Sequence, residues 1–126
     1  MRLNQALIFV KDLDLMASFY GGTVGLESID DSRTESWAEF NAGQIRIILH
    51  AIPPHIAASI EITLPPRTRE ENPIKLIFEV DDLDAKMKRL QSEGVTIVQR
   101  PWGACDVVDP EGNIFQILSV EGSAQE

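Results

Sequence analysis

The chain states nearly the same pattern twice. Gln5-Ala-Leu-Ile-Phe-Val-Lys-Asp-Leu-Asp14 returns 70 positions later as Lys75-Leu-Ile-Phe-Glu-Val-Asp-Asp-Leu-Asp84, with Val10/Val80, Asp12/Asp82, Leu13/Leu83 and Asp14/Asp84 identical. A second match, at an offset of 69, sets Ala38 to Leu49 against Val107 to Leu118, with Gly43/Gly112, Ile45/Ile114, Ile48/Ile117 and Leu49/Leu118 in step. Two matches with nearly equal offsets imply two copies of one supersecondary unit, and they name positions that should be equivalent in space.

Each copy reads as strand, helix, then three strands. In the first, residues 3–11 are apolar and strand-like, and Asp12 caps a helix with Leu13, Met16, Phe19 and Tyr20 on one face. Gly21-Gly22 is expected to stop that helix. Residues 24–31, 37–41 and 44–50 read as strands, the last two joined by the turn at Asn41-Ala42-Gly43. In the second copy, 74–80 is a strand, and Asp82 caps a helix with Leu83, Met87 and Leu90 inward and Lys86, Lys88 and Arg89 toward water. Gly94 ends it. Strands follow at 95–100, 104–108 and 113–120, with Asp109-Pro110-Glu111-Gly112 as a strong turn. Pro53, Pro54, Pro65, Pro66 and Pro73, five of the seven prolines, lie in or just after a crossing segment. The expected organisation is therefore one domain over 1–126: module one 1–50, linker 51–72 with a turn of helix near 56–60, module two 73–120, and a frayed tail 121–126.

Composition narrows the function classes. With 126 residues, 44% apolar and 25% charged, the chain can build a real core. No run approaches the roughly 20 apolar residues of a membrane helix, so no membrane partner is expected. The net charge of −9 disfavours nucleic acid, which needs a basic surface, and is compatible with a cationic guest or simply with solubility. Met1-Arg2-Leu3-Asn4 lacks the build of a signal peptide, and the single cysteine, Cys105, allows no internal disulfide. A reducing, cytoplasmic location is the expectation.

Strand alternation sorts side chains by face. Ala6, Ile8 and Val10, with Leu76, Phe78 and Val80, should pack on the helices. That leaves Gln5, Leu7 and Phe9, with Lys75, Ile77 and Glu79, on the opposite faces. In the last strands the expectation places Ile45, Ile47 and Leu49 with Ile114, Gln116 and Leu118 on those opposite faces. Two such sheets side by side curve into a trough.

The run from Lys11-Asp-Leu-Asp14 through Phe19-Tyr20 and Val24-Gly25-Leu26, then Phe78-Glu-Val-Asp-Asp-Leu-Asp84 and Asp109-Pro-Glu-Gly-Asn-Ile-Phe-Gln-Ile117, resembles the vicinal oxygen chelate superfamily. That family holds glyoxalases, extradiol dioxygenases, fosfomycin-resistance enzymes and bleomycin-resistance binding proteins. The resemblance runs from about Leu3 to Ser119. It implies an α+β fold of two tandem βαβββ modules forming a curved mixed-sheet trough, and a homodimer.

The family's enzymes hold a divalent metal on the first and last strands of each module, slots that the resemblance carries onto Gln5, Ile47, Lys75 and Gln116. Gln5 can offer an amide oxygen, Ile47 nothing, and Lys75 is an ammonium without a lone pair. Gln116 stands where the family's enzymes carry a ligating glutamate. Two neutral amides do not hold a divalent ion against water. No metal and no cofactor are expected.

What remains is a pocket of the kind that binds a small, partly planar molecule. Its expected ligand-binding residues are Gln5, Phe9, Trp37, Ile47, Lys75, Trp102 and Gln116. Trp37 and Trp102 offer stacking surfaces, or pack at a sheet rim or a dimer contact. Lys75 pairs with an anionic ligand group, or with Glu79 or Glu61. Cys105 reads as a small buried apolar group, His50 as a strand-end residue, and no phosphate loop or Ser-His-Asp arrangement is present. The expected function is metal-free small-molecule binding, sequestering a drug or metabolite in the manner of the bleomycin-resistance branch. The alternatives are a glyoxalase- or dioxygenase-like lyase or oxidoreductase with an unconventional site, and a module whose trough is filled by another protein.

Overall fold

A computed structural model describes residues 1–102 and 104–120. The chain divides into two compact units, Met1–Ile62 and a second beginning at Thr63. The division falls inside the proline-rich segment, and each half of that segment is tied to its own unit. The Lys11 ammonium donates to the Ile60 carbonyl, and the Arg69 amide donates to the Gly112 carbonyl at 2.9 Å. The tail expected at 121–126 lies outside the described residues.

The first unit holds β1 (Gln5–Val10), α1 (Leu13–Ser18), β2 (Glu27–Ile29), β3 (Trp37–Ala42), β4 (Ile45–Ala51) and the short α2 (Pro54–Ala57). Its sheet order is β1-β4-β3-β2, with β1 parallel to β4 and the other pairs antiparallel. The second unit repeats the plan with β5 (Leu76–Val80), α3 (Leu83–Ser92), β6 (Ile97–Gln99), β7 (Cys105–Val108) and β8 (Ile114–Ser119), in the order β5-β8-β7-β6. These are two mixed four-stranded sheets, each with βαβββ connectivity.

Both helices start where the sequence places them. The Asp12 carboxylate accepts from the Leu15 amide at 3.1 Å, and Asp82 from the Ala85 amide at 3.0 Å. The apolar face of α1 is buried through Leu13, Met16, Phe19 and Tyr20. Gly21 and Gly22 do not end this helix. The chain continues through a π-helical turn, Phe19–Thr23, and leaves it at Gly25, whose φ is 93°. Gly21 is needed for room, since a Cβ there would sit 3.1 Å from the Phe40 ring. In α3, Leu90 is buried and Gly94, with φ 82°, closes the helix as expected. Lys86 is not a fully solvated residue, as its position on α3 suggested. It is half-buried, and loss of water there pulls its ammonium pKa down.

The Asp109 turn is self-organised. Its carboxylate accepts from the Glu111 and Asn113 amides and the Asn113 side chain, each at 2.9 Å.

Candidate functional site

The ladders fix which side chains share a face. In the first unit, Gly21 abuts Phe40, Phe40 pairs with Ile47, and Ile47 pairs with Ala6. Ile47, 1% exposed, therefore lies on the helix side. The face turned away from the helix carries Gln5 beside Arg46, Leu7 beside Ile48, and Phe9 beside His50. Ile47 is thus withdrawn as a site residue, and Ile48 takes the position. In the second unit, Cys105 and Met87 meet through sulfur at 3.6 Å, which marks the helix side of β7. Val107 and Phe115 share that side, the latter edge-on to Phe78. Gln116, paired with Ile77 and Asp106, faces the other way. Ile47 and Gln116 are on opposite faces and are not equivalent positions. The slot positions shared by the two units are Gln5 with Lys75, and Ile48 with Gln116.

In the first unit the face away from the helix carries an aromatic group. His50 lies 5.6 Å from Phe9 and 5.4 Å from Trp37, ring centre to ring centre. Phe9 is 61% exposed, while Trp37 is half-buried. The Trp37 indole N–H donates to Glu39 Oε1 at 2.9 Å, and Arg46 donates to Glu39 Oε2 at 3.1 Å. The Trp37 hydrogen bond, more than any other influence, holds the Glu39 carboxyl below its usual range, against the opposing pull of burial. Gln5 is exposed at the head of β1. A cleft of about 880 Å³ opens by His50, Lys11, Asp14 and Glu35. Its polar groups already hold the fold: Asp14 pairs with Arg33 at 2.6 Å, Lys11 binds the Ile60 carbonyl, and Asp12 caps α1.

In the second unit the centre of the face is a buried carboxylate. Asp106 is wholly buried; Lys75 Nζ reaches its two oxygens at 3.0 and 3.1 Å, and Arg100 Nε one of them at 2.7 Å. Arg100 also donates to both oxygens of Glu70, at 3.1 and 3.2 Å, which with Asp106 raises its already high pKa. Its guanidinium lies 6.0 Å from the centre of the Trp102 ring. The partner of Lys75 is Asp106, neither Glu79 nor Glu61. A recess of about 170 Å³ is lined by Arg69, Asn72, Lys75, Arg100 and Trp102 among others, so two expected site residues, Lys75 and Trp102, meet there. Trp102 is 71% exposed, and Gln116 is buried beside Asp106 in the ladder. Asp106, Arg100, Glu70 and Glu39 were not singled out from sequence. The available signal was that Asp106 sits inside an otherwise apolar strand; Glu39 shares its strand with Asn41 and stands out less.

The donor set does not suit a divalent metal. The four slot positions hold an amide, an isoleucine, an ammonium engaged with a carboxylate, and a second amide. Among the described residues no three His, Cys, Asp or Glu side chains group as ligands. Cys105 is buried, and loss of water raises its thiol pKa, so it is a poor nucleophile.

Residues 2–117 match the family model described as Glyoxalase/Bleomycin resistance protein/Dioxygenase superfamily. Among solved structures, a glyoxalase/bleomycin resistance protein/dioxygenase family enzyme from Burkholderia phytofirmans PsJN is 22% identical, with TM-score 0.69 over 95% of this chain and 99% of that one. An antibiotic-binding protein from Streptomyces sp. CB03234 is 22% identical, with TM-score 0.66 over 94% and 95%. A lactoylglutathione lyase from Agrobacterium tumefaciens is 20% identical, with TM-score 0.64 over 95% and 94%. At these identities the likeness is one of fold. No curated protein matches the chain.

Proposed function

The chain belongs to the Glyoxalase/Bleomycin resistance protein/Dioxygenase superfamily, and we propose that within it this protein binds a small molecule without a metal and does not transform it. The observation that carries the reading is Lys75. It stands at a position where the family's enzymes place a metal ligand, and its ammonium is fixed on Asp106 at 3.0 Å. A cation held there repels a second one, and Lys75 has no lone pair to give. The two amides on these faces, Gln5 and Gln116, suit hydrogen bonding to a neutral or anionic guest. Phe9 and Trp37 in one unit and Trp102 in the other supply flat apolar surface. The antibiotic-binding relative supports the reading, since the same fold there serves binding. A cytoplasmic homodimer that engages neither nucleic acid nor membrane completes the proposal; no described helix is long and apolar enough to cross a membrane.

Native mass spectrometry of protein purified from its host tests this. A small-molecule adduct with no metal supports it. About one equivalent of nickel, zinc, manganese or iron per chain, retained through desalting and lost on Gln5→Ala, overturns it.

A further inference from the structure

We infer that the recess of the second unit is an anion anchor that takes the carboxylate of a ligand whose ring lies against Trp102; this rests on the small-molecule-binding reading above. The chain as a whole is acidic, at −9, yet three of its 11 lysines and arginines line this recess: Arg69, Lys75 and Arg100. Two carboxylates, Asp106 and Glu70, stand against them, so the local balance is +1. The distribution of contacts matters more than the sum. Arg100 is fully engaged by Asp106 and Glu70. Lys75 spends its contacts on the two oxygens of one carboxylate, and an ammonium has three donors. Arg69 is half-buried, and its guanidinium has no hydrogen-bond or ion-pair partner among the described residues. Asn72 uses its carbonyl oxygen to accept from the Ile74 amide at 3.1 Å, which leaves its NH2 group to donate. Three residues that line one recess thus each keep a donor with no protein acceptor assigned to it, and a guanidinium fork matches the two oxygens of a carboxylate.

Size and shape limit the guest. A recess of about 170 Å³ is below the roughly 300–1,000 Å³ that encloses a drug-sized ligand. It holds an anchoring group while the rest of the molecule lies outside. Trp102, 71% exposed, is the wall next to that mouth, and a flat ring laid on it removes apolar surface from water.

The test uses 2-naphthoate and its uncharged isostere 2-naphthamide, titrated into the full chain by calorimetry, with amide and indole N–H shifts followed by NMR. The acid should bind about tenfold tighter than the amide, because a carboxylate meets the guanidinium and ammonium as a full charge while an amide carbonyl meets them only as a dipole. Shifts should centre on Trp102, Arg69 and Lys75. Arg69→Gln should abolish the acid's advantage over the amide and leave the melting temperature unchanged; Arg69→Lys should restore part of that advantage. Equal affinities for acid and amide, an unaffected Arg69→Gln, shifts confined to the first unit, or no binding of naphthoate would each overturn the anchor. If naphthoate fails while the purified protein still carries a metal-free guest, only the anchor falls; if no guest is found either, the binding reading falls with it.

Discussion

Glu39 and Asp106 are one position of the repeat, each a buried carboxylate on the face of its sheet turned away from the helix. Glu39 pairs with Ile48 and Asp106 with Gln116; Ile48 lies beside Leu7 and Gln116 beside Ile77, themselves 70 residues apart. The two units neutralise the same buried charge differently. The first uses Arg46 from β4 and the indole of Trp37. The second uses Lys75, just ahead of β5, and Arg100, just beyond β6. One is a half-exposed pair; the other is a chain of four charges running from Lys75 to Glu70.

That difference sets an order of mutational cost. Asp106→Asn leaves two cations without the wholly buried carboxylate they share, and a buried pair broken at one partner costs about 3–5 kcal/mol. Arg100→Met should cost less, because Lys75 still serves Asp106, and Lys75→Met least, because Arg100 makes the shorter contact and Lys75 is the more exposed of the two cations. Urea unfolding of the three variants gives the order directly. A Lys75→Met loss equal to that of Asp106→Asn would show that Arg100 does not compensate.

Glu39 predicts an acid-labile component of stability. Its folded pKa is depressed below the ordinary 4.5. A depressed carboxylate contributes stability above its unfolded pKa, and that contribution is lost as pH falls through the folded value. Melting temperature should therefore drop as pH is lowered below 4.5, and Glu39→Gln should show a shallower drop while being less stable at neutral pH. Parallel curves for the two proteins would remove Glu39 from the account.

The repeat made the architecture legible, because Asp12 and Asp82 cap helices and Gly43 and Gly112 turn hairpins at offsets that a sequence can display. It did not fix the register of the last strands. Ile45, Ile47, Ile48 and Leu49 put apolar residues on both faces, so matching Ile48 to Ile117 looks better than matching it to Gln116, and a slip of one residue moves every side chain to the other face. The true offset there is 68, as the Leu7–Ile48 and Ile77–Gln116 pairs show. The ion network was hidden for another reason. Lys75 and Arg100 meet Asp106, and Glu70 meets Arg100, only through sheet pairing and the path of the proline-rich segment, which no local pattern encodes.

Gly112 should be nearly irreplaceable. Its φ is +89°, and a Cβ would stand 2.1 Å from the Arg67 carbonyl oxygen, a backbone atom that cannot swing aside. Gly43 shares the positive φ, +73°, but has open space around it. Gly43→Ala should cost about 1–2 kcal/mol for the left-handed backbone alone. Gly112→Ala should cost clearly more, since residues 67–69 must also be displaced. Thermal unfolding of both variants checks this; equal losses would mean that the segment yields without cost.

The last prediction concerns assembly. On the faces turned away from the helices, Leu7 is 42% exposed, Phe9 61% and Ile77 54%, and Ile74 just ahead of β5 is 70% exposed. Exposed apolar side chains on a sheet face, as each unit carries, are the ordinary mark of a surface that another surface covers, and a second copy of this chain is the occupant proposed. Sedimentation should show a species of twice 14.0 kDa at micromolar concentration. Phe9→Lys should shift it toward the single chain, and because Phe9 is mostly exposed, the isolated chain should keep its circular dichroism spectrum. A single 14.0 kDa species for the unaltered protein would rule the dimer out. A dimer undisturbed by Phe9→Lys would place the contact elsewhere.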